Sequence, residues 1–456
     1  MIKKKSMVTD FTQGNVPKQL VNFAFPLLLS SLLQVVYNMV DMIIVGQAMG
    51  KVGISAVSVG GDITGFLTFF IMGYTGAGQV IISQYIGKNQ RDRVGVCIST
   101  MFSFIALCAV VVSIVCLLLR EPLLSLMNTP AEAWSETLAY TGVSITGLIF
   151  ICGYNAVSAV LRGMGDSKHP FIFIAVASVL NILLDLLFVI QLGMGAMGAA
   201  LATVISQAVS FISCVIFLYQ NRKRFDFHIK PKDFFRWDKA MLIKLSKLGV
   251  PMAIKSASIQ FSKLFVNSWI NSYGVVVSAF SGIANKVSNI CNIVSNSTGT
   301  AGSSMIGQNI GAEKYERVSK IMRTVFCITL GIAVILSIAI IAFPKHIFGI
   351  FTDEAEVLDL ALEFLPIAVM SFMSSAGRST MNALINGSGN YRINLITAIL
   401  DGFVLRIGLS VLFGLVLNMR YMGFWLGDVF ASFTPIWIGI LFYYSGKWKH
   451  SKIATE

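Results

Sequence analysis

Ser83-Gln84-Tyr85-Ile86-Gly87, followed by Arg93-Val94, returns as Gly307-Gln308-Asn309-Ile310-Gly311, followed by Arg317-Val318, at an offset of 224 residues. The same offset carries Arg162-Gly163-Met164-Gly165-Asp166 onto Asn386-Gly387-Ser388-Gly389-Asn390, and Leu124-Ser125-Leu126-Met127-Asn128 onto Phe348-Gly349-Ile350-Phe351-Thr352. Towards the ends it slips by one or two residues, so that Pro26 meets Pro251, Gln34 meets Gln260 and Gly198 meets Gly423. The chain is a duplication. In a membrane protein, two such halves usually enclose a central pathway.

Composition places the duplication in a bilayer. Apolar residues are 55% of the 456 and charged residues 12%, about half the charged share of an ordinary soluble domain. Apolar runs long enough to span recur near 20–45, 54–82, 95–119, 136–160, 171–191, 196–219, 248–272, 275–305, 320–343, 358–384, 393–416 and 421–445. Their length and lack of alternation predict helices rather than strands. The expected fold is therefore an all-α integral membrane protein of twelve transmembrane helices. These form an N-lobe over 1–220, a cytoplasmic connector over 221–247 and a C-lobe over 248–456. Six spans per half give both lobes one orientation, so the two-fold pseudo-repeat is parallel.

Lys and Arg gather in alternate loops, at Lys88, Arg91 and Arg93, at Arg162 and Lys168, between Arg222 and Lys247, and at Lys314, Arg317, Lys320 and Arg323. The other loops carry acids such as Glu132, Glu136, Asp353 and Glu354. The positive-inside rule then puts both termini in the cytoplasm of a multi-pass cell (inner) membrane protein. The net charge of +13 reads as this topology signal. Spread over many short loops, it makes no patch for nucleic acid. The seven cysteines lie in or beside apolar runs with no metal-binding spacing. No nucleophile–base pair or metal constellation supports an enzyme, and no filter or charged ring supports a channel.

Ionisable residues inside spans are costly and mark function. In the first half these are Asp41 and Asp185. Asn181 and Asp185 share a helix face, as do Ala199 and Thr203 on the next span. At 1.5 Å per residue Asp41 lies about 30 Å along its span from Leu20, so all five fall in the outer half of the membrane. Two carboxylates with amide, hydroxyl and carbonyl oxygens suit a hard cation. Two neighbouring carboxylates also resist ionising together, which suits proton capture. A polar cluster that merely locks helices is the alternative. The second half does not repeat the set and is cationic instead, with Lys255 and Lys263 in span seven, Lys286 in span eight, Arg378 in span ten and Arg406 in span eleven. Asp401 and Asp428 are their possible counter-ions, and internal pairing competes with a cavity lined by cations.

These features resemble the multidrug and toxic compound extrusion (MATE) antiporters. The likeness covers residues 15–445 and rests on the duplicated twelve spans, the Gln84-Tyr85-Ile86-Gly87 and Gln308-Asn309-Ile310-Gly311 pair, and Leu161 to Asp166 after span four. The resemblance implies a cation-coupling site at Asp41, Asn181, Asp185, Ala199 and Thr203. Asp41, Asn181, Asp185 and Thr203 would be metal ligands if the ion is sodium. It implies Pro26 as a bending point and no cofactor beyond Na+ or H+. The expected substrate is a small amphipathic organic compound or drug, exported by alternating access and taken up by a cavity that includes Gln34, Tyr37, Asn38, Gln260, Lys255, Lys263 and Arg406. The expected partners are that substrate and the bilayer, with the protein acting as a monomer. One branch of the family has an acidic residue in span seven where this chain reads Ile259-Gln260. At Lys255 and Lys263 the family more often has neutral polar residues. An exporter of anionic metabolites and a flippase of lipid-linked precursors are the alternative functions.

Overall fold

In the computed structural model, which describes residues 6–227 and 237–450, every regular element is helical. Eight helices are long and apolar enough to cross a membrane, and Ala131–Thr146 with Leu148–Gly163, bent by 45°, supplies another crossing. The helix Val16–Gly87 is 72 residues long and holds two of the expected spans. Its regular geometry breaks only at Gly50 (φ 61°, ψ −146°), a conformation that glycine adopts without strain. Lys239–Asn271 and Val275–Gly311 have the length of spans but are more polar than the rest. Counted this way the described residues contain twelve spans, numbered here in chain order: 16–49, 51–87, Arg91–Leu118, 131–163, Lys168–Gln191, Gly195–Gln220, Lys239–Asn271, Val275–Gly311, Tyr315–Ala342, Ala355–Gly387, Tyr391–Val416 and Arg420–Tyr444. Span seven starts at Lys239, inside the segment expected to be connector. Residues 228–236 of that segment lie outside the described residues.

The duplication persists in backbone detail. Left-handed backbone recurs at Gly50 and Gly274, Asn89 and Glu313, and Gly165 and Gly389, all 224 apart. The turn after span five, where Met194 N–H donates to the Phe188 carbonyl at 2.9 Å, returns as Met419 donating to Phe413 at 3.0 Å. The repeated Gly-x-Gly-Asp/Asn stretch is explained by caps. Asp166 Oδ1 accepts from the Lys168 and His169 N–H groups at 3.1 and 3.2 Å, and Asn390 Oδ1 accepts from Ile393 N–H at 3.2 Å.

Gly163 and Gly387 permit a close helix approach in each lobe. A Cβ on Gly163 would lie 2.8 Å from the Gln79 carbonyl oxygen, and one on Gly387 would lie 2.7 Å from that of Ser303. Backbone cannot move aside as a flexible side chain can. Gly163→Ala and Gly387→Ala are each expected to cost about 1–3 kcal/mol, read as a lowered unfolding midpoint in detergent. Unchanged midpoints would mean that these helices separate easily.

The compact units do not coincide with the two sequence halves. One comprises residues 1–10 and 29–249, the other 11–28 and 250–456. The start of span one thus packs with the second unit. Phe11 N–H donates to Gln308 Oε1 at 3.0 Å, and the Arg317 guanidinium donates to the carbonyls of Phe11, Gln13 and Gly14 at 3.0–3.2 Å. Leu20, Phe23 and Leu27 join the apolar cluster of Met305, Ile306 and Val325. The start of span seven conversely packs in the first unit, where Tyr74 meets Ser246 at 3.3 Å and stacks beside Gly249. The exchange points fall beside Pro26 and Pro251.

Candidate functional site

In the first lobe, Asn181 and Asp185 stand one turn apart near the end of span five, 1% and 0% exposed, and Asp41 is 5% exposed in span one. The Asn181 amide donates to Thr203 Oγ1 at 3.3 Å. That bond leaves the Asn181 carbonyl oxygen without a donor, and Asp41 Oδ1 and both oxygens of Asp185 are likewise buried without one. Asp41 and Asp185 are close enough to repel each other, and Tyr37 and Tyr140 feel the Asp41 charge. Ala199 adds no polar side chain. It is wholly buried in an apolar cluster with Val45 and Ala200. Span five turns to a wider π-helical winding at Leu186–Gln191, directly after Asp185. Such windings are frequent at functional sites.

Four acceptor oxygens, three of them carboxylate, are thus buried in this lobe without a donor, and no basic side chain is paired to them among the described residues. Leaving such groups charged and unmatched is costly. An all-oxygen donor set of this kind accommodates a hard cation, and a proton on one carboxylate relieves the same repulsion. Sequence reasoning missed Gln207 and Tyr140. Gln207 interacts with Tyr37 and keeps a buried Oε1 without a donor. Its signal was present, because Ala199, Thr203 and Gln207 continue one helix face in steps of four. Gln34 and Tyr37 are half-buried in span one, and Asn38 is exposed.

The second lobe answers the same positions with a different solution. At the offset of 225 that holds here, Asn181 corresponds to Arg406 and Thr203 to Asp428. The Arg406 guanidinium is fully buried. It donates to Asp401 Oδ1 at 2.7 Å, makes a close ion pair with Asp428, and reaches the Asp428 carbonyl at 3.3 Å. The expectation that Arg406 lines a substrate cavity is therefore corrected: it is consumed by two internal ion pairs. Cavities do exist in this lobe. One of about 380 Å³ includes Gln260, Lys263, Lys286 and Arg378 in its wall, together with the aromatic Phe364 and Trp425. A second, of about 370 Å³, is lined by Lys255 and Asn382 and shares Lys263 and Arg378 with the first.

A paired-lobe helical membrane protein with a buried carboxylate set in one lobe and an open polar cavity in the other is built as a transporter. The family profile described as MatE matches residues 26–187 and again 251–412. The probable multidrug resistance protein YpnP of Bacillus subtilis is 30% identical over 449 residues, covering 98% of this chain and 99% of its own. The probable multidrug resistance protein YoeA of the same organism is 29% identical, with 94% of each chain covered. A crystal structure of MATE in the bent conformation has a TM-score of 0.89 at 21% identity over 99% of both chains. A MOP superfamily transporter from Pyrococcus furiosus, whose binding pocket is described as reversed in polarity, has the same TM-score at 21% identity, over 98% of this chain and all of its own. This chain belongs to the MatE family, whose members are membrane transporters and not enzymes.

Proposed function

We propose that the protein is a secondary antiporter of the cell membrane that exports amphipathic organic compounds against inward flow of sodium or protons. The observation that carries this reading is the set of buried, donor-free oxygens on Asp41, Asn181 and Asp185. A site that is unfavourable until a cation arrives gives the ion a large differential effect on the states that hold it open or closed, and coupling requires that difference. The names of YpnP and YoeA, as probable multidrug resistance proteins, support drugs among the exported compounds. Rocking of the lobes would alternate access, with Pro26 and Pro251 as bending points, since each removes a helix hydrogen bond where its span passes between compact units. Both termini would lie in the cytoplasm, and a single chain would suffice.

The test is uptake of a panel of cationic and anionic fluorophores into proteoliposomes oriented for inward pumping, under a sodium gradient or a pH gradient imposed alone. Asp185→Asn is expected to shift or abolish the dependence on whichever ion drives uptake. A pH and sodium response identical to wild type would remove Asp185 from the site.

A further inference from the structure

We infer that the adjoining cavities of the second lobe bind a soluble aromatic organic anion, its acidic group held by Lys263 and Arg378 and its ring resting near Phe364 and Trp425. This names the substrate class of the proposed exporter, and it rests on the exporter reading only for the transport step, not for binding.

Charge carries the inference. Lys255, Lys263, Lys286 and Arg378 all line the two cavities. The carboxylates that reach the walls are Asp401 and Asp428, and Arg406 already holds both. With that triad's single net negative charge counted, the walls keep an excess of three positive charges. Lys255, Lys263 and Arg378 feel Asp401 or Asp428 only from beyond ion-pair distance, and the close contacts of three of the four cations are neutral. Lys255 Nζ donates to Asn382 Oδ1 and Arg378 to Asn292 Oδ1, each at 2.6 Å, and Lys286 Nζ lies 5.9 Å from the Phe351 ring centre. None of the four forms an ion pair among the described residues.

Position reinforces charge. Lys263 and Arg378 belong to both cavities, so two of the four cations stand in the wall that the cavities share. Within a membrane-embedded lobe such unmatched cations are costly, and a ligand anion is the group that offsets them. An organic cation entering this space would add to the excess. In the wall of the larger cavity, Phe364 and Trp425 stand edge to face with ring centres 5.1 Å apart, anchored in the lobe's apolar core. An aromatic body there and an acidic group on Lys263 and Arg378 would use both kinds of wall, and Asn285 and Asn289, which also line the cavity, offer polar groups to its substituents.

Isothermal titration calorimetry of the purified protein in neutral detergent tests this with the matched pair naphthalene-2-sulfonate and 2-naphthylmethylammonium. No ion gradient is involved, so a failure of ion coupling leaves this test intact. The sulfonate is expected to bind at least tenfold more tightly than the ammonium. Lys263→Gln combined with Arg378→Gln should abolish the preference, while the charge-keeping Lys263→Arg retains it. If the double variant does not fold, Lys286→Gln, at an exposed position, should lower the preference at least threefold. Equal or tighter binding of the ammonium, binding of neither probe, or a preference that survives loss of these charges would overturn the inference. Displacement of the sulfonate by dioleoylphosphatidylglycerol at equal concentration would assign the cavity to lipid headgroups and overturn it as well.

Discussion

Asp41→Asn is expected to reduce gradient-driven substrate uptake to the level of empty liposomes while leaving the protein folded. Asparagine keeps the shape of the side chain, so the packing of a residue only 5% exposed survives. It removes the charge. Among the described residues Asp41 Oδ1 has no donor and Asp41 forms no ion pair, so the native state gains little from ionising it. Burying an unpaired charge is costly, so neutralising it should leave the unfolding midpoint of the variant equal to or above that of wild type. Transport should nevertheless fail, because the driving ion loses one of the two charges that make its binding favour one state over the other. A stable Asp41→Asn protein that still pumps under the gradient would remove Asp41 from coupling.

Arg406→Met is expected to have the opposite character, with a large loss of stability. Asp401 is fully buried and Asp428 is 30% exposed at its side chain, and both form their ion pairs with one guanidinium. Removing one partner of a buried ion pair costs about 3–5 kcal/mol, chiefly because the other charge stays behind. Here two are left behind, so the variant should accumulate poorly or unfold at a markedly lower midpoint. Adding Asp401→Asn and Asp428→Asn should restore most of the loss, since the three groups act as a unit and their effects do not add. Full stability of Arg406→Met with an altered substrate range would return Arg406 to the cavity wall.

The duplication, the twelve spans and the polar residues of the first lobe were legible because each depends on local pattern: apolar length, recurrence at a fixed offset, and spacing of four on a helix. What was not legible depends on which residues meet across the chain. Nothing in the run from Phe11 to Leu28 says that it packs with Gln308 and Arg317 rather than with the lobe it begins. Spans seven and eight are polar because part of their surface faces the cavities, and a hydropathy pattern alone cannot tell such a face from a loop. Arg406 shows how the repeat could have been used further. Asn181 and Thr203 were expected on facing spans of one site, and the offset of 225 places Arg406 and Asp428 at the corresponding positions. Their opposite charges at matched positions favour the internal pairing that the sequence left open against a cavity role, and the structure contains that pair.

The most direct test of ion-coupled export is ion movement itself, measured in proteoliposomes with no imposed sodium or pH gradient. A concentration gradient of a transported fluorophore is applied, and sodium and pH inside the vesicles are followed together. An antiporter predicts that substrate flow in one direction drives sodium or protons in the other, above their equilibrium, and that Asp41→Asn abolishes this movement. Substrate crossing the membrane through wild-type protein with neither ion moving against it would contradict ion coupling at Asp41, Asn181 and Asp185.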